Sequence, residues 1–300
     1  MPWEGKTMLD FRIQTFLSVC RHMNFTRASQ ELHITQPAVS QHIRFLEHLY
    51  QTSLFLREGK HIRLTPAGEI LLATMTQLRN DERAMMARMR VCAGEKRTLR
   101  FGVTLTIGEY IIAGPLARFL QSYPQTDLHV HFGNTSALLE QLREGELDFA
   151  LVEGYFRPDA YETMVYRTEP YIPVCAKGHA FSHPVHRLKD LLSQRLLVRE
   201  IGSGTRDILE KNLALRGMRI EDFSHVTQVE STRLIVSLLV QDCGIAFLYQ
   251  AAVRRELAEG TLVQIPLADF SMEHDFVFLW NRTSAFSSEY AHICHALSTL

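Results

Sequence analysis

Segment 24–63 constrains the fold more than any other part of this 300-residue chain. Apolar residues spaced four apart on one helical face predict a short helix over about residues 26–32. After a tight turn, Thr35 suits a helix N-cap, because its hydroxyl can accept an otherwise unpaired backbone N–H. Pro37 then falls in the first helical turn, where its missing N–H costs nothing. The segment therefore predicts two short helices joined by a tight turn.

The second of these helices is predicted to have one apolar face and one polar face. The residues expected to point inward are Val39, Ile43, Leu46 and Leu49. Those expected to point outward are Gln36, Ser40, Gln41 and Arg44. Gln, Ser and Arg side chains match the hydrogen-bonding groups of base edges and phosphates. A short, capped helix with a polar face behind a tight turn is typical of an element that enters the DNA major groove, although an ordinary helical domain with a solvated face is the alternative.

A basic hairpin is predicted directly after this helix. Glu58-Gly59 is expected to form the turn, and Arg57, Lys60 and Arg63 flank it, so that the hairpin would form a wing along the sugar–phosphate backbone. The full set of candidate DNA-binding residues is Thr26, Thr35, Gln36, Pro37, Ser40, Gln41, Arg44, Arg57, Lys60 and Arg63.

Two runs in this region resemble the signature of the LysR-type transcriptional regulators. They are TQPAVSQHIRFLE (35–47) and SLFLREGKHIRLTPAGE (53–69), which match densely and in register. One departure is that Tyr50 follows Leu49, where the family usually has a Gly that caps the helix in the left-handed conformation. The resemblance implies a sequence-specific DNA-binding regulator, with no enzymatic activity, that acts on an interrupted palindromic operator. It also implies dimers formed through a linker helix that associate into tetramers through the C-terminal domains. It also makes RNA polymerase a candidate partner.

A long helix is predicted from about Pro66 to Cys92, since Thr65-Pro66 repeats the cap-then-proline pattern. An a/d seam runs along it at alternating spacings of four and three residues, broken once by a glutamate: Leu71, Met75, Leu78, Glu82, Met85 and Met89. Such a seam favours pairing with another chain, and the resemblance implies a dimer contact. The alternative is a helix packed on its own domain.

From Thr98 onward, strands alternate with helices, which predicts a parallel sheet built from right-handed crossovers. The predicted strands are 99–103, 128–132, 149–152, 172–176, 196–198, 226–229, 245–248 and 276–280. The predicted helices are about 107–122, 136–145, 205–216, 232–241 and 287–297.

The segments GELDFALVEG (145–154) and DCGIAFL (242–248) resemble the effector domain of the same family, which is similar to periplasmic binding proteins. The predicted fold class is an N-terminal winged helix-turn-helix (mainly α), a long linker helix, and an α/β effector domain with two subdomains. The predicted boundaries are 8–65, 66–94 and 97–300. Subdomain I would comprise about 97–168 and 273–300, and subdomain II about 169–272.

A small-molecule site is predicted where three strands end, because open parallel sheets bind ligands beyond the carboxyl ends of their strands. Each strand end runs into a hydroxyl-rich helix start, and together they would hold a small anion. The candidate effector-binding residues are Thr104, Thr106, Asn134, Thr135, Ser136, Gly202, Ser203, Gly204, Thr205 and Arg206. Arg206 would add a positive charge, whereas Glu153 and Glu200 would repel an anion unless paired or protonated. Any one hydroxyl here could be a plain N-cap instead.

Composition limits the classes of protein that fit. A hydrophobic content of 46% can form a real core, and a net charge of −1 does not exclude DNA binding if basic residues cluster locally. The sequence shows no apolar run of the roughly 20 residues that span a bilayer, and its polar N-terminal residues do not resemble the apolar core of a secretory signal. We therefore expect a cytoplasmic protein with no membrane association. Five scattered cysteines fit that reducing compartment, with a redox-sensing pair of Cys175 and Cys243 as an alternative to buried, inert thiols.

No catalytic or metal-binding motif stands out among the fourteen histidines and the rest of the chain. His129 and His131 alternate along a predicted strand, without a partner at zinc-ligand spacing. GSGTR (202–206) lacks the Lys-Ser/Thr of a phosphate-binding P-loop. An enzyme fused to a DNA-binding module and a transport-type binding protein are thus weaker alternatives, and no metal or cofactor is expected. The sequence does not identify the effector, the operator or the direction of regulation.

Overall fold

The computed structural model describes residues 8–58 and 61–299 and divides into two compact units. The N-terminal unit extends to Glu95 and also includes Arg143–Gly145 and Thr283–Phe286, and the C-terminal unit contains the remainder. The elements of the N-terminal unit are α1 (Phe11–His22), α2 (Phe25–Glu31), α3 (Gln36–Tyr50), β1 (Phe55–Glu58), β2 (His61–Leu64) and α4 (Pro66–Cys92). The predicted helix-turn-helix, hairpin and long helix are therefore confirmed as elements. The predicted turn position is wrong for Glu58, which is the last residue of β1 and pairs with His61, while Gly59 lies outside the described residues.

The N-terminal unit is held together by one apolar core. Phe16, Val19 and Ala28 are fully buried there, and from α3 the buried residues are Val39, Ile43 and Leu46. The inward prediction for Leu49 is wrong, because this side chain is 58% exposed. It lies in the last turn of α3, and the chain leaves that helix through Gln51, which takes the left-handed conformation at φ +52°. Gln51 thus has the capping role for which the family uses Gly one position earlier.

The C-terminal unit alternates strands and helices. Its elements are β3 (Arg97–Thr104), α5 (Leu105–Tyr110), α6 (Ala113–Ser122), β4 (Thr126–Gly133), α7 (Thr135–Arg143), β5 (Phe149–Val152), β6 (Tyr161–Ala176), β7 (Arg195–Val198), α8 (Gly204–Ala214), β8 (His225–Gln228), α9 (Thr232–Val240), β9 (Ile245–Tyr249), α10 (Gln250–Glu259), β10 (Leu262–Gln264), β11 (Glu273–Asn281) and α11 (Ser287–Thr299). The α10 helix and the β10 strand lie in a stretch that the sequence patterns left unassigned.

The single helix predicted over 107–122 is two helices, α5 and α6. The break falls at Ile111, whose φ of −129° is not helical. Pro115 explains it, because a proline cannot donate to the carbonyl four residues earlier and its ring clashes with that carbonyl. A continuous helix would place Ile111 at that position.

The strands of the C-terminal unit form one mixed sheet in the order β4-β3-β5-β11-β6-β9-β7-β8, with β10 pairing to β6. The parallel prediction is correct for β3 with β4 and β5, and for β7 with β8 and β9. It is wrong for β6 and β11, which pair antiparallel to their neighbours. These two strands carry the chain between the halves of the unit. The first half of β6 pairs with β11 and its second half with β9, so both halves share one sheet.

Candidate functional site

The helix-turn-helix is fixed at both helix starts by side-chain caps. Asn24 Oδ1 accepts from the backbone N–H of Thr26 at 2.9 Å, and Thr35 Oγ1 accepts from that of Ala38 at 3.3 Å. The turn between the helices contains His33 in the left-handed conformation, at φ +53°. Each cap satisfies N–H groups that the first turn of a helix leaves unpaired. The predicted cap at Thr35 is confirmed.

The polar side of α3 faces solvent. Gln36, Gln41 and Arg44 are exposed and Ser40 is half-buried, whereas the opposite side of the helix is buried in the core. Gln36 Nε2 donates to Ser40 Oγ at 2.9 Å, which orders two of these side chains on one face. The candidate base-reading residues are thus together and accessible, as entry into a groove requires.

The wing is a two-stranded antiparallel hairpin in which Phe55 pairs with Leu64 and Leu56 with Arg63. The Arg63 side chain is exposed, and Arg57 lies in β1 at its pairing position with Ile62. Lys60 lies outside the described residues, as does the side chain of Arg57. Thr26 and Pro37, the remaining candidates, are exposed at the starts of α2 and α3.

In the C-terminal unit, the predicted strand ends converge on a buried carboxyl group. Glu153 directly follows β5 and is 2% exposed. Thr104, at the end of β3, donates its hydroxyl hydrogen bond to Glu153, and Thr205 in α8 donates to Glu153 Oε1 at 3.2 Å. Both hydroxyls therefore serve the carboxyl group rather than capping their helices. Thr104 is therefore not a plain N-cap, the alternative left open by the sequence, since its side chain makes no capping hydrogen bond to α5.

The backbone of the two halves is closely packed at this point. A Cβ on Gly204 would lie 2.1 Å from the Glu153 carbonyl oxygen and 2.8 Å from Thr135 Oγ1. Gly154 has a φ of +95°, and a Cβ there would lie 2.5 Å from the Gly204 Cα. Thr135 Oγ1 also donates to the Glu153 carbonyl at 2.7 Å. Only glycine at positions 154 and 204 allows this approach of the two halves.

The rim of the site joins the α7 start to the loop before α8. The Ser136 backbone N–H donates to the Gly202 carbonyl at 3.2 Å. Asn134 Nδ2 donates to Glu200 Oε1 at 3.3 Å, while Asn134 Oδ1 accepts from the Ala137 N–H at 2.9 Å. Asn134 is therefore an N-cap of α7 as well as a rim residue. Glu200, which we expected to repel an anion unless paired, forms an ion pair with its neighbour Arg199.

Arg206 does not contact Glu153. Its guanidinium group donates to Glu210 at 2.6 Å, to the Gln228 side chain at 2.9 Å and to the Arg199 carbonyl at 3.2 Å. All three acceptors belong to the second half of the unit. The predicted positive charge in the site is thus committed to other partners in this structure.

Sequence reasoning missed two tyrosines that belong to the site. Tyr171 donates to the Thr205 carbonyl at 2.8 Å, and the ring of Tyr249 lies 5.3 Å from that of Tyr171. Burial raises the pKa of both phenols well above the usual value, and the nearby Glu153 raises them further. Strands β6 and β9 bring the rings together across the sheet. Aromatic residues in predicted strands are ordinarily assigned to the core, so the sequence pattern does not indicate that these two lie beside a carboxyl group.

Two hydroxyls of this site form no well-aligned hydrogen bond. The Thr106 and Tyr249 hydroxyl oxygens are buried without a hydrogen-bond partner among the described residues. Ser203, also predicted, is 2% exposed and precedes α8 without capping it. Buried polar groups are normally paired, so these two hydroxyls are candidate hydrogen-bond donors for a ligand.

The pKa of Glu153 is raised, chiefly because burial disfavours the charged form. Hydrogen bonds from Thr104 and Thr205, the charge of Arg199 and, most weakly, the Thr106 hydroxyl act in the opposite direction. Desolvation is the first and largest of these effects. The neutral acid is therefore favoured relative to a glutamic acid in water.

The cysteines divide into accessible and inaccessible groups. Cys92 and Cys243 are exposed, while Cys175 and Cys294 are buried. Burial raises the pKa of Cys175 to about 11, which suppresses the reactive thiolate. No group of metal-ligating side chains is found within the residues that the structure describes, and no helix there is long and apolar enough to cross a membrane.

These features define a class of protein: a winged helix-turn-helix unit joined to an α/β unit with a buried polar cluster at its strand ends. Residues 12–69 match the family model described as "Bacterial regulatory helix-turn-helix protein, lysR family", and residues 93–297 match "LysR substrate binding domain". Together these matches span most of the chain. It therefore belongs to the LysR family of DNA-binding transcriptional regulators and is not an enzyme.

Individual relatives agree with this assignment. The transcriptional regulator CysL of Bacillus subtilis is 28% identical over 272 residues, covering 89% of each chain. The regulator CbbR of Rhodospirillum rubrum is 30% identical over 273 residues, covering 88% of this chain and 87% of the relative. The crystal structure of ArgP from Mycobacterium tuberculosis has a TM-score of 0.66 at 18% identity and covers 98% of this chain and 99% of that one. The last likeness concerns the fold alone.

Proposed function

We propose that α3 reads an interrupted palindromic operator and that a small anion in the cleft of the C-terminal unit controls this activity. The single observation that carries the DNA part is the exposed polar side of α3, with Gln36 ordered against Ser40. In the proposed complex, Gln36 and Arg44 contact base edges, and the wing residues contact phosphates. Domain boundaries at 8–65, 66–94 and 97–300 belong to this proposal.

The operator contacts can be tested with a duplex selected from a randomised DNA pool. Gln36→Ala and Arg44→Ala should each weaken binding to the selected duplex by about 1–3 kcal/mol and relax sequence preference. Matched controls are Gln121→Ala and Arg233→Ala, which remove the same side chains from exposed positions in α6 and α9. Fluorescence anisotropy at fixed salt measures the affinity of each variant for the selected duplex and for a duplex of unrelated sequence. Unchanged affinity and sequence preference in the two α3 variants would refute the assignment of α3.

We further propose that the chain dimerises through α4 and that two dimers associate into a tetramer. Of the predicted seam, Leu78, Met85 and Met89 are 48%, 37% and 64% exposed. Exposed apolar side chains in a helical stripe favour a partner helix. Leu78→Glu should dissociate the dimer in sedimentation velocity, whereas the same change at Leu215, which is 84% exposed in the C-terminal unit, should not. A cytoplasmic location and contact with RNA polymerase complete the proposal.

The effector part rests on the convergence of Thr104, Thr135 and Thr205 at one point of the cleft. Hydroxyls and the N-terminal end of α8 favour a small oxyanion. The double change Thr104→Ala with Thr205→Ala should abolish the stabilisation of the full-length protein by such an anion, and should leave DNA binding intact. Thr168→Ala is the control, because its exposed hydroxyl donates to Asp275 outside the cleft. Undiminished anion binding in the double variant, measured by calorimetry, would refute the site.

The thiol-based redox alternative receives no support at Cys175, because that thiol is buried and its pKa is raised. Peptide mass spectrometry after mild peroxide treatment, asking whether Cys175 and Cys243 become linked, would detect such a sensor. No such link is expected.

A further inference from the structure

The carboxyl group of Glu153 is the polar centre of the cleft in the C-terminal unit. It lies at the junction of both halves, and its donors come from each of them: Thr104 from the first and Thr205 from the second. The main chain on either side of it is closely packed against Gly204. Because both halves contact this residue, its charge affects whatever binds between them.

No basic side chain forms an ion pair with Glu153 within the part of the chain that the structure describes. Arg199 is the basic residue whose charge acts on it, and that guanidinium donates twice to Glu200, at 2.8 and 2.9 Å, and once to Thr232 at 2.8 Å. Arg206 is held by Glu210 and Gln228. An ionised carboxylate buried without a counter-charge is costly, and such a group usually takes up a proton instead.

The other groups near Glu153 do not supply a positive charge either. Tyr171 and Tyr249 are neutral phenols at physiological pH, and burial raises their pKa values further above the ordinary 10. Glu200 is already paired with Arg199. The surroundings of Glu153 thus consist of hydroxyls, aromatic rings and one guanidinium that other acceptors occupy. The hydroxyls and the guanidinium favour the ionised form, but burial has the larger effect and favours the neutral acid.

Two hydroxyls beside this carboxyl group have spare hydrogen-bonding capacity. Thr106 Oγ1 and Tyr249 Oη are buried, and neither forms a well-aligned hydrogen bond with a described residue. Thr106 still lies close enough to Glu153 to lower the pKa of that carboxyl group, and the charge of Glu153 raises the pKa of Tyr249. Each can donate one hydrogen bond to a guest. A protonated Glu153 would supply a further donor beside them. An oxyanion accepts several hydrogen bonds and donates none, so it fits this set of donors.

We propose that Glu153 is protonated when the effector is bound and donates that proton as a hydrogen bond to an oxyanion. This inference rests on the proposed anionic effector and adds the proton that accompanies it. Where Glu153 is ionised in the free protein, binding takes one proton from solvent. This proton converts the carboxylate to a carboxylic acid, which donates a hydrogen bond to the bound anion. The site therefore excludes anions when Glu153 is ionised and accepts them when it is neutral.

The sign of the pH dependence identifies the class of effector. For an anion whose own charge is constant, affinity should fall up to about tenfold per pH unit once the pH exceeds the pKa of Glu153 in the free protein. A cationic effector would instead bind an ionised Glu153 and release a proton, so its affinity would rise with pH. The two classes give opposite slopes.

The test uses the full-length protein and sulfate as the probe, because sulfate does not change its charge near neutral pH. Sulfate binding is measured by calorimetry from roughly pH 5.5 to 8.5, in two buffers of different ionisation enthalpy, which gives the proton uptake directly. We expect the affinity of the wild-type protein to fall with pH and binding to take up as much as one proton. Glu153→Gln, which keeps a neutral donor, should retain affinity and lose the pH dependence.

Glu169→Gln is the matched control. Glu169 is nearly as buried as Glu153, at 4% against 2% exposure, and it is paired with Arg167. Its charge acts on Tyr249, but it is not among the groups that shift the pKa of Glu153. It should leave the pH dependence of sulfate binding unchanged.

A second readout needs no ligand. Because the folded-state pKa of Glu153 is raised above its ordinary 4.5, the folded protein loses stability as the pH rises from that value through the folded-state pKa. The melting temperature of Glu153→Gln relative to the wild type should therefore increase over this interval. A constant difference would overturn the inference. So would sulfate binding that takes up no proton above the pH at which this difference levels off, because Glu153 is ionised in the free protein there. If sulfate, phosphate and acetate all fail to stabilise either protein at any pH, the anionic effector of the preceding section fails as well.

Discussion

Gly204→Ala would test whether the two halves of the C-terminal unit must approach as closely as the structure shows. The new Cβ would lie 2.1 Å from the Glu153 carbonyl oxygen, whereas ordinary contact begins at 3.4 Å, so these atoms must separate by about 1 Å. The carbonyl oxygen cannot turn away freely, because it accepts the hydrogen bond of Thr135 at 2.7 Å. The start of α8 must therefore move, and Thr205 with it.

We expect this change to lower the unfolding free energy by about 1–3 kcal/mol, as overpacking of a close contact usually does. It should also weaken anion binding, because the Thr205 hydroxyl would leave Glu153. Urea denaturation and calorimetry measure the two effects. Gly114→Ala is the control: its Cβ would meet nothing nearer than 3.5 Å in α6, so the better helix propensity of Ala should leave stability equal or slightly higher. Wild-type stability and anion affinity in Gly204→Ala would refute the packing argument.

Three further predictions concern the rest of the chain. Thr35→Ala should cost about 1 kcal/mol in urea denaturation through loss of the α3 cap, and an unchanged midpoint would contradict this. A thiol reagent should label exposed Cys243 in the native protein and reach buried Cys175 only on unfolding; equal rates by mass spectrometry would argue otherwise. A hydrogen bond from Arg12 lowers the pKa of Asp10 from 3.8 to about 2. The ionised carboxylate therefore stabilises the folded protein above pH 3.8, and this stabilisation is lost as the pH falls from 3.8 through about 2. The difference in melting temperature between the wild type and Asp10→Asn should shrink accordingly, and a constant difference would be inconsistent with the Arg12 contact.

The local elements could be predicted from sequence because their causes are local. The cap at Thr35, the proline after it and the apolar spacing along α3 all lie within fifteen residues of one another. The same holds for α4, whose bounds at Pro66 and Cys92 agree with the sequence pattern. The buried strand β5 was equally clear, since an apolar run of four residues is flanked by polar ones.

Sequence reasoning was weaker where the outcome depends on distant residues. The long strand β6 is half polar in its first part, and it forms only because β11 pairs with it from more than a hundred residues later. The exposure of Leu49 likewise depends on where the neighbouring helices end, which the pattern within α3 does not contain.

The sequence by itself determined the class of this protein, because capping, spacing and a dense family motif need only neighbouring residues. It also placed threonines at the ends of the strands. Only the tertiary structure decided what those threonines contact: Glu153 accepts from Thr104 and Thr205, while Arg206 is held elsewhere. The physical reason is that the charge state of a group depends on its burial and on partners far along the chain, and both exist only once the two halves have come together.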